Sequence, residues 1–320
     1  MTAAPPPRHP PRRTPRHALP GEPVIPPAPS TIDLHTHTTR SDGLLEPAAL
    51  VDAAAAAGIR LLAITDHDTL AGVREVIAAG AIPAGLELIP GIELNAITAD
   101  RPDLRESEVH VLGLGVDPDD EGLEATLALQ RTRRRDRFER MVRRLRDIAR
   151  PIDDALEALP PTGDDDALGR PRVARAMIAK GYVASVEEAF SVYLSRGRPA
   201  YVAREGLGPI EAIRAIRAAG GLAALAHFSE APERLDVIHE LRDAGLRGLE
   251  VHYRTFDALT VESVGRVAAD ASLVATGGSD YHGDLESYAV THAALWVPPT
   301  VEAPLRAALA AASAETATSR

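Results

Sequence analysis

No cysteine occurs in the 320 residues. Disulfides and thiolate metal sites are therefore excluded, and any metal must be held by imidazole and carboxylate. Aromatic residues are scarce, at 3%, which argues against nucleic-acid binding mainly on exposed stacking platforms. No apolar run approaches the ~18 residues of a membrane span. Arg12 and Arg13 stand near the N-terminus with no apolar stretch behind them. No export signal is read, and the cytoplasm is the expected location. Basic residues are outnumbered, 35 against 46, for a net charge of -11. An acidic protein that handles an anion needs a local reversal of its field, from metal ions or clustered arginines.

Hydrophobic residues make up 45% of the chain, enough for a sizeable core built from Ala, Leu, Val and Ile. Residues 1–30 are rich in Pro and Arg without apolar periodicity and read as a disordered tail. From Thr31 strand and helix alternate. Strands are expected at Ile32–His35, Leu61–Thr65, Leu86–Glu93, Val109–Leu114, Leu222–Ala226, Gly248–Val251 and Leu273–Gly277. Helices are expected at Pro47–Ala57, Leu70–Ala79, Pro209–Ala219, Glu233–Ala244 and Leu259–Ala269. Repeated βα units with strands this apolar argue a parallel sheet buried on both faces. Barrel sequence spans 31–117 and 204–300, and a C-terminal helix and tail fill 301–320.

Residues 118–203 interrupt the rhythm as a helical insertion that caps the site. Gln130–Arg150 holds ten Arg against three acidic residues. Within it Phe138, Met141, Val142, Leu145 and Ile148 recur on one helix face. A second, mostly helical stretch covers Pro171–Arg196.

The histidines carry the chemistry. His35 and His37 lie in Asp-Leu-His-Thr-His with Asp42 beyond. His67 lies in Thr-Asp-His-Asp, Glu93 in Pro-Gly-Ile-Glu and His110 in Glu-Val-His-Val. His227 ends an apolar run, and Asp280 and His282 lie in Gly-Ser-Asp-Tyr-His. Each group alone has a bland explanation, as a turn, a helix cap or a core histidine. Together they stand at the expected C-terminal strand ends, where a closed barrel gathers its site. His35 and His37 alternate along a strand and so share a face. Nine such ligands are too many for one ion; two or three are natural, with Glu93 suited to bridge a pair. His9, His17, His239, His252 and His292 are left outside, and His252 reads as structural.

These motifs resemble the PHP (polymerase and histidinol phosphatase) superfamily of metal-dependent phosphoesterases. The resemblance runs from about residue 31 to 290. It implies an α/β fold, a distorted (β/α)7 TIM-like barrel, holding three divalent ions. By that resemblance His35, His37, Glu93 and Asp280 surround one ion. Glu93, His110 and His227 hold a second, and Asp42, His67 and His282 the third. Mn is the expected metal, and Fe or Zn accept the same ligands. Arg170-Pro171, Gly181-Tyr182 and Arg196 to Val202 resemble the branch of nucleoside 3′,5′-bisphosphate phosphatases and 5′→3′ exonucleases of short RNA. Arg172 and Phe228 depart from that branch, where His and Pro are usual.

The expected reaction is hydrolysis of a phosphoester of a small nucleotide, or of short RNA, by metal-bound hydroxide. Asp66 and Asp68 are expected to orient imidazoles, and His282 is a candidate proton donor. Arg134, Arg137, Arg170 and Arg172 are the candidate readers of a second phosphate. No protein partner and no membrane contact is expected. Histidinol-phosphate phosphatase is the alternative enzyme. A polymerase-associated module and a metal-independent nucleic-acid-binding protein are alternatives of other classes.

Overall fold

The computed structural model describes residues 28–98, 104, 108–160, 163, 167–283 and 286–319. The expected tail therefore lies almost wholly outside the described residues. Strands β1 (Ile32–Asp33), β2 (Leu61–Ile64), β3 (Glu87–Ile97), β4 (Glu108–Leu114), β5 (Leu222–Leu225), β6 (Gly248–Tyr253) and β7 (Val274–Gly278) lie in that order in one sheet. Helices α1 (Pro47–Ala56) and α2 (Ala71–Ala79) follow β1 and β2. Helices α3 (Glu121–Asp147), α4 (Asp153–Ala158), α5 (Arg170–Ala179) and α6 (Val186–Ala189) fall between β4 and β5, ahead of α7 (Pro209–Ala218). Helices α8 (Leu235–Asp243) and α9 (Ala258–Asp270) follow β5 and β6, and α10 (Tyr288–Ala293) and α11 (Glu302–Ser319) come last. Among the described residues no helix is long and apolar enough to cross a membrane.

Alternation along the strands sorts side chains into two layers. Leu62 and Ile64 pack outward with Leu50 and Val51 of α1. Leu61 and Ala63 face the opposite layer with Leu112, Leu114, Leu222 and Ala224, where Leu295, Val297, Val301 and Leu305 also pack. On β3 the layer of Ile89 continues through Glu93 and Asn95, while Ile92, Leu94 and Ala96 join the outer layer. The inner face thus changes from apolar at one end of the barrel to polar at the other.

β1 and β7 nearly close the barrel. Leu34 N donates to Gly277 O at 3.1 Å, Asp280 N to His35 O at 2.8 Å and His37 N to Tyr281 O at 3.0 Å. A Cβ added at Gly278 would stand 2.4 Å from His35 Cβ, so only glycine lets the two strands approach there.

One strand corrects the expectation of a parallel sheet. β4 pairs antiparallel with both β3 and β5. Only residues 98–107 join β3 to β4, too short a connection for the helical crossover that a parallel pair requires. His110 consequently sits near the start of its strand, opposite Asn95, and still reaches the same barrel mouth.

The insertion has its own apolar cluster, in which Phe138, Met141, Val142 and Leu145 of α3 meet Val173, Met177, Ala189 and Leu194. Ile148 leaves the expected face and is 38% exposed. The helix has ended at Asp147, and Ala149 takes a φ of 59°. The buried face of α3 runs through Leu123, Leu127, Gln130, Arg134, Arg137, Met141 and Leu145. Arg131, Arg134 and Arg137 are therefore on the packed side, an arrangement that requires polar partners. The insertion is tied to the loop after β1. Ala167 N donates to Arg40 O at 2.9 Å, and Arg175 Nη2 donates to Asp42 O at 2.6 Å.

Candidate metal centre

Glu93 stands at the centre of the polar end of the barrel and is fully buried. Its Oε2 lies 3.3 Å from His35 Nε2, 3.2 Å from His37 Nε2 and 2.9 Å from His67 Nδ1. Its Oε1 lies 2.8 Å from His110 Nδ1 and 3.4 Å from His227 Nε2. Asp280 Oδ1 is 3.3 Å from His35 Nε2 and 3.1 Å from His37 Nε2. Asp42 reaches His282 Nε2 at 3.2 Å and His67 Nε2 at 3.8 Å. All nine residues singled out in the sequence therefore meet in one cluster.

Three subsets present ligand atoms within 4.8 Å of one another. They are His35, His37, Glu93 and Asp280; His37, Asp42, His67 and His282; and His67, Glu93 and His110. The first is the set expected for one ion. The second adds His37 to the expected trio. In the third, His67 takes the place expected of His227, although His227 Nε2 lies 3.1 Å from His110 Nδ1. His35 Nε2, both ring nitrogens of His37, His67 Nδ1 and both Glu93 oxygens are buried without a hydrogen-bond partner. Buried polar atoms are costly unless satisfied. Imidazole nitrogens and carboxylate oxygens that converge without bonding one another fit divalent cations between them.

The electrostatics follow from this crowding. Burial pushes the Glu93 carboxyl up, but His67, His110 and His35 hold it well below the usual carboxylate range. Burial disfavours protonated His35, yet Glu93, Glu250 and Asp280 raise it well above an ordinary imidazole. His282 is pushed up to about 10 by Asp42 and Asp280 against the effect of burial. For His67 burial wins over Glu93 and Asp42, and its pKa falls to about 4. Asp68, His227 and Asp280 hold positive φ angles of 50°, 35° and 51°. Such backbone is sparsely populated for residues with a side chain and persists where surrounding contacts enforce it.

Several supporting residues escaped the sequence reading. Buried Glu250 of β6 accepts from His35 Nδ1 at 3.1 Å and from the His227 backbone N at 2.7 Å. It thereby leaves His35 Nε2 facing the cluster. Asp33 accepts from Ser279 N, Ser279 Oγ and Tyr288 Oη at 2.9, 2.7 and 2.8 Å, joining β1 to the Asp280 loop. Glu250 had one legible signal, a carboxylate within an apolar strand.

Asp66 and Asp68 support the cluster differently from the expectation of imidazole partners. Asp66 accepts from Thr38 N at 2.7 Å, Thr38 Oγ1 at 2.7 Å and Ser41 Oγ at 2.6 Å, fixing the loop between His37 and Asp42. Asp68 accepts from Asn95 N at 3.2 Å and Arg134 Nε at 2.5 Å. Arg134 also donates to Asn95 Oδ1, and Asn95 Nδ2 lies 2.6 Å from His110 Nε2. His252 is half-buried in β6, and burial lowers it to about 4, in keeping with a structural role.

The arginines gather around Glu108. Arg170 Nη2 lies 3.0 Å and Arg204 Nε 2.9 Å from its carboxylate. Burial raises Glu108, and Arg204, His110, Arg170 and Arg137 bring it down to about 2. Burial and the charges of Arg204 and Arg170 lower Arg137 to about 9, still charged at neutral pH. Arg172 turns elsewhere and donates to the Pro160 carbonyl at 2.8 Å; two residues beyond Arg170, it faces another side of α5. Arg204, not singled out in the sequence, joins Arg170 at Glu108 instead. A cavity of about 370 Å³ opens beside this group, lined by Glu108, His110, Arg170, His227 and Glu230.

Known proteins share this architecture. The PHP domain model matches residues 33–158. A 3′,5′-nucleoside bisphosphate phosphatase of Chromobacterium violaceum is 32% identical over 263 residues, 79% of this chain and 87% of that protein. The 5′-3′ exoribonuclease Rnm of Escherichia coli is 33% identical over 285 residues, 84% of this chain and 91% of that protein. A solved structure from Bifidobacterium adolescentis, described as a metal-dependent phosphoesterase, is 32% identical with a TM-score of 0.70, covering 80% of this chain and 90% of its own. An amidohydrolase of Chromobacterium violaceum, solved with bound sulfate, is 28% identical with a TM-score of 0.73, covering 88% of this chain and 97% of its own.

Proposed function

The chain belongs to the PHP-domain family of metal-dependent phosphoesterases, and from that premise we propose that it hydrolyses the phosphate on the 3′ oxygen of a nucleotide bearing a 5′-phosphate. Nucleoside 3′,5′-bisphosphates and short 5′-phosphorylated RNA both contain that unit, and they unite the activities named for the two relatives. The observation that carries the reading is the adjacency of two anion-seeking groups. Glu108, held by Arg170 and Arg204, is two residues from His110, which touches Glu93.

The metal ligands we propose are His35, His37, Glu93 and Asp280 for one ion, with Asp42, His67 and His282 for another. Glu93, His110 and His227 complete a third, with His67 near enough to share. Manganese is the first candidate. Ions held there supply Lewis acidity, which activates water and neutralises phosphoryl charge. The chain's own residues do the rest. Glu93 and Asp280 fix negative charge at the centre, while Glu250 and Asn95 hold His35 and His110 in orientation. His282 Nδ1 lies 3.0 Å from the Asp280 backbone oxygen, which turns Nε2 toward Asp42 and the metal site. Arg204 Nη1 is buried without a hydrogen bond and suits a phosphate oxygen. A substrate of this class suits a cytoplasmic location.

Glu250→Gln keeps the side-chain shape and removes the charge behind His35. It is expected to weaken metal binding about 10–100-fold, read by competition with a fluorescent chelator. Unchanged affinity would remove Glu250 from this role.

The substrate reading is tested by phosphate release with Mn²⁺ from nucleoside 3′,5′-bisphosphates, 3′-mononucleotides, 5′-mononucleotides and histidinol phosphate. Arg170→Ala is expected to raise KM about tenfold for the bisphosphate, the scale of one charge-assisted hydrogen bond. The 3′-mononucleotide lacks the group that Arg170 reads and should show little change. Equal losses on both substrates would exclude Arg170 as a reader of the second phosphate.

A further inference from the structure

Strand β6 brings two polar side chains to the inner face that regular alternation would keep apart. Glu250 points to His35, while Leu249 and Val251 join the outer apolar layer. Three residues beyond Glu250, Tyr253 would stand on the opposite face of a regular strand. The pairing with β7 shifts register on the way, from Glu250 opposite Thr276 to His252 opposite Gly277. Such a bulge re-aims the side chains that follow it, and Tyr253 turns back to the cluster. Its Oη donates to Asp280 Oδ2 at 3.0 Å. Its ring centroid lies 5.4 Å from that of His227 and 5.1 Å from that of Phe256.

We propose that Tyr253 is a positioning residue that restricts Asp280 to a single-oxygen contact with the ion at His35, His37 and Glu93, and so keeps one coordination position free for the reactants. The inference rests on the reading of those residues as metal ligands.

The two oxygens of Asp280 face different partners. Oδ1 lies 3.3 Å from His35 Nε2, 3.1 Å from His37 Nε2 and 3.5 Å from His282 Nδ1. Oδ2 is turned away from them to the Tyr253 hydroxyl. The backbone at Asp280 is fixed separately, by N donating to His35 O at 2.8 Å and by a φ of 51°. Rotation of the carboxylate is the freedom that remains, and the hydrogen bond from the phenol opposes it.

A carboxylate can give a cation one oxygen or both. The second oxygen would take a position that a catalytic ion needs open, whereas a structural ion is enclosed by protein ligands on every side. Apolar packing does not hold this carboxylate in place, because Asp280, Tyr253 and His282 together line a cavity of about 440 Å³. Without the hydroxyl, Asp280 is free to turn Oδ2 inward. The grip on the ion then becomes fuller while the room left for chemistry shrinks.

Tyr253→Phe removes the hydroxyl and keeps the ring against His227 and Phe256. Mn²⁺ affinity is measured by competition with a fluorescent chelator, and kcat at saturating Mn²⁺ on the phosphomonoester that the wild type turns over fastest. The expected result is a split: kcat falls about tenfold, the scale of one charge-assisted hydrogen bond, while affinity holds or rises. Infrared difference spectra of the Mn²⁺-loaded proteins should show the two stretching bands of one carboxylate drawn closer together, as two-oxygen binding requires. A tyrosine that merely supports the fold would lower affinity and kcat together. That result, an unchanged band separation, or kcat within about twofold of wild type overturns the assignment. Phe256→Leu loosens the ring but keeps the hydroxyl, and should leave affinity and kcat within about twofold. The same split in Phe256→Leu would trace the effect to packing and overturn the proposal. A wild-type protein that binds no Mn²⁺ overturns the metal reading with it.

Discussion

Glu93→Gln is expected to lower phosphate release by roughly a thousandfold, from the loss of several kcal/mol of metal-centred stabilisation. Among the described residues no other side chain is in reach of as many cluster members, since its two oxygens lie within 3.4 Å of His35, His37, His67, His110 and His227. The amide preserves volume and removes the charge. It also turns an NH₂ group toward nitrogens or cations that need an acceptor. Circular dichroism should stay native, because the substitution is isosteric at a position where metal rather than apolar packing is served. Metal content measured by mass spectrometry should fall by at least one ion per chain. Activity within about tenfold of wild type would remove Glu93 from the centre of the mechanism.

Chelation is expected to abolish turnover on every substrate, and Mn²⁺ to restore it. The metal-independent nucleic-acid-binding alternative predicts the opposite, binding that survives chelation and falls steeply with salt. The pH dependence has a definite sign. In the metal-free protein His282 keeps its proton up to about 10, and Glu93, Glu250 and Asp280 hold the proton on His35 well above the ordinary imidazole range. Cations must displace these protons, so loading releases them and apparent affinity rises with pH across neutrality. Calorimetry in two buffers of different ionisation enthalpy reads the proton count. Buffer-independent heats would show that the imidazoles are already deprotonated.

The candidate metal ligands were legible because each arrives with a neighbour of its own kind or at the end of an apolar run. His35 with His37, and Asp280 with His282, signal themselves within a few residues. The direction of β4 was not legible from hydrophobic pattern, since Val109, Val111, Leu112 and Leu114 read alike in either direction. Only the shortness of residues 98–107 carried that information. Arg204 and Asn95 were hidden for another reason. Their chemistry depends on partners far along the chain: Glu108 for Arg204, Arg134 and His110 for Asn95. Arg172 illustrates the converse. It sits in a basic stretch beside Arg170, yet helix geometry turns it to the Pro160 carbonyl.

The join between β1 and β7 has a mechanical side. Among the described residues it is held by one isolated bridge, Thr36 to Tyr281, and a few backbone hydrogen bonds. His35 and His37 stand on one lip of that seam, Asp280 and His282 on the other. A cation gripped by both lips acts as a clasp on the barrel, so that tightening the grip on metal and stiffening the fold become one quantity under selection.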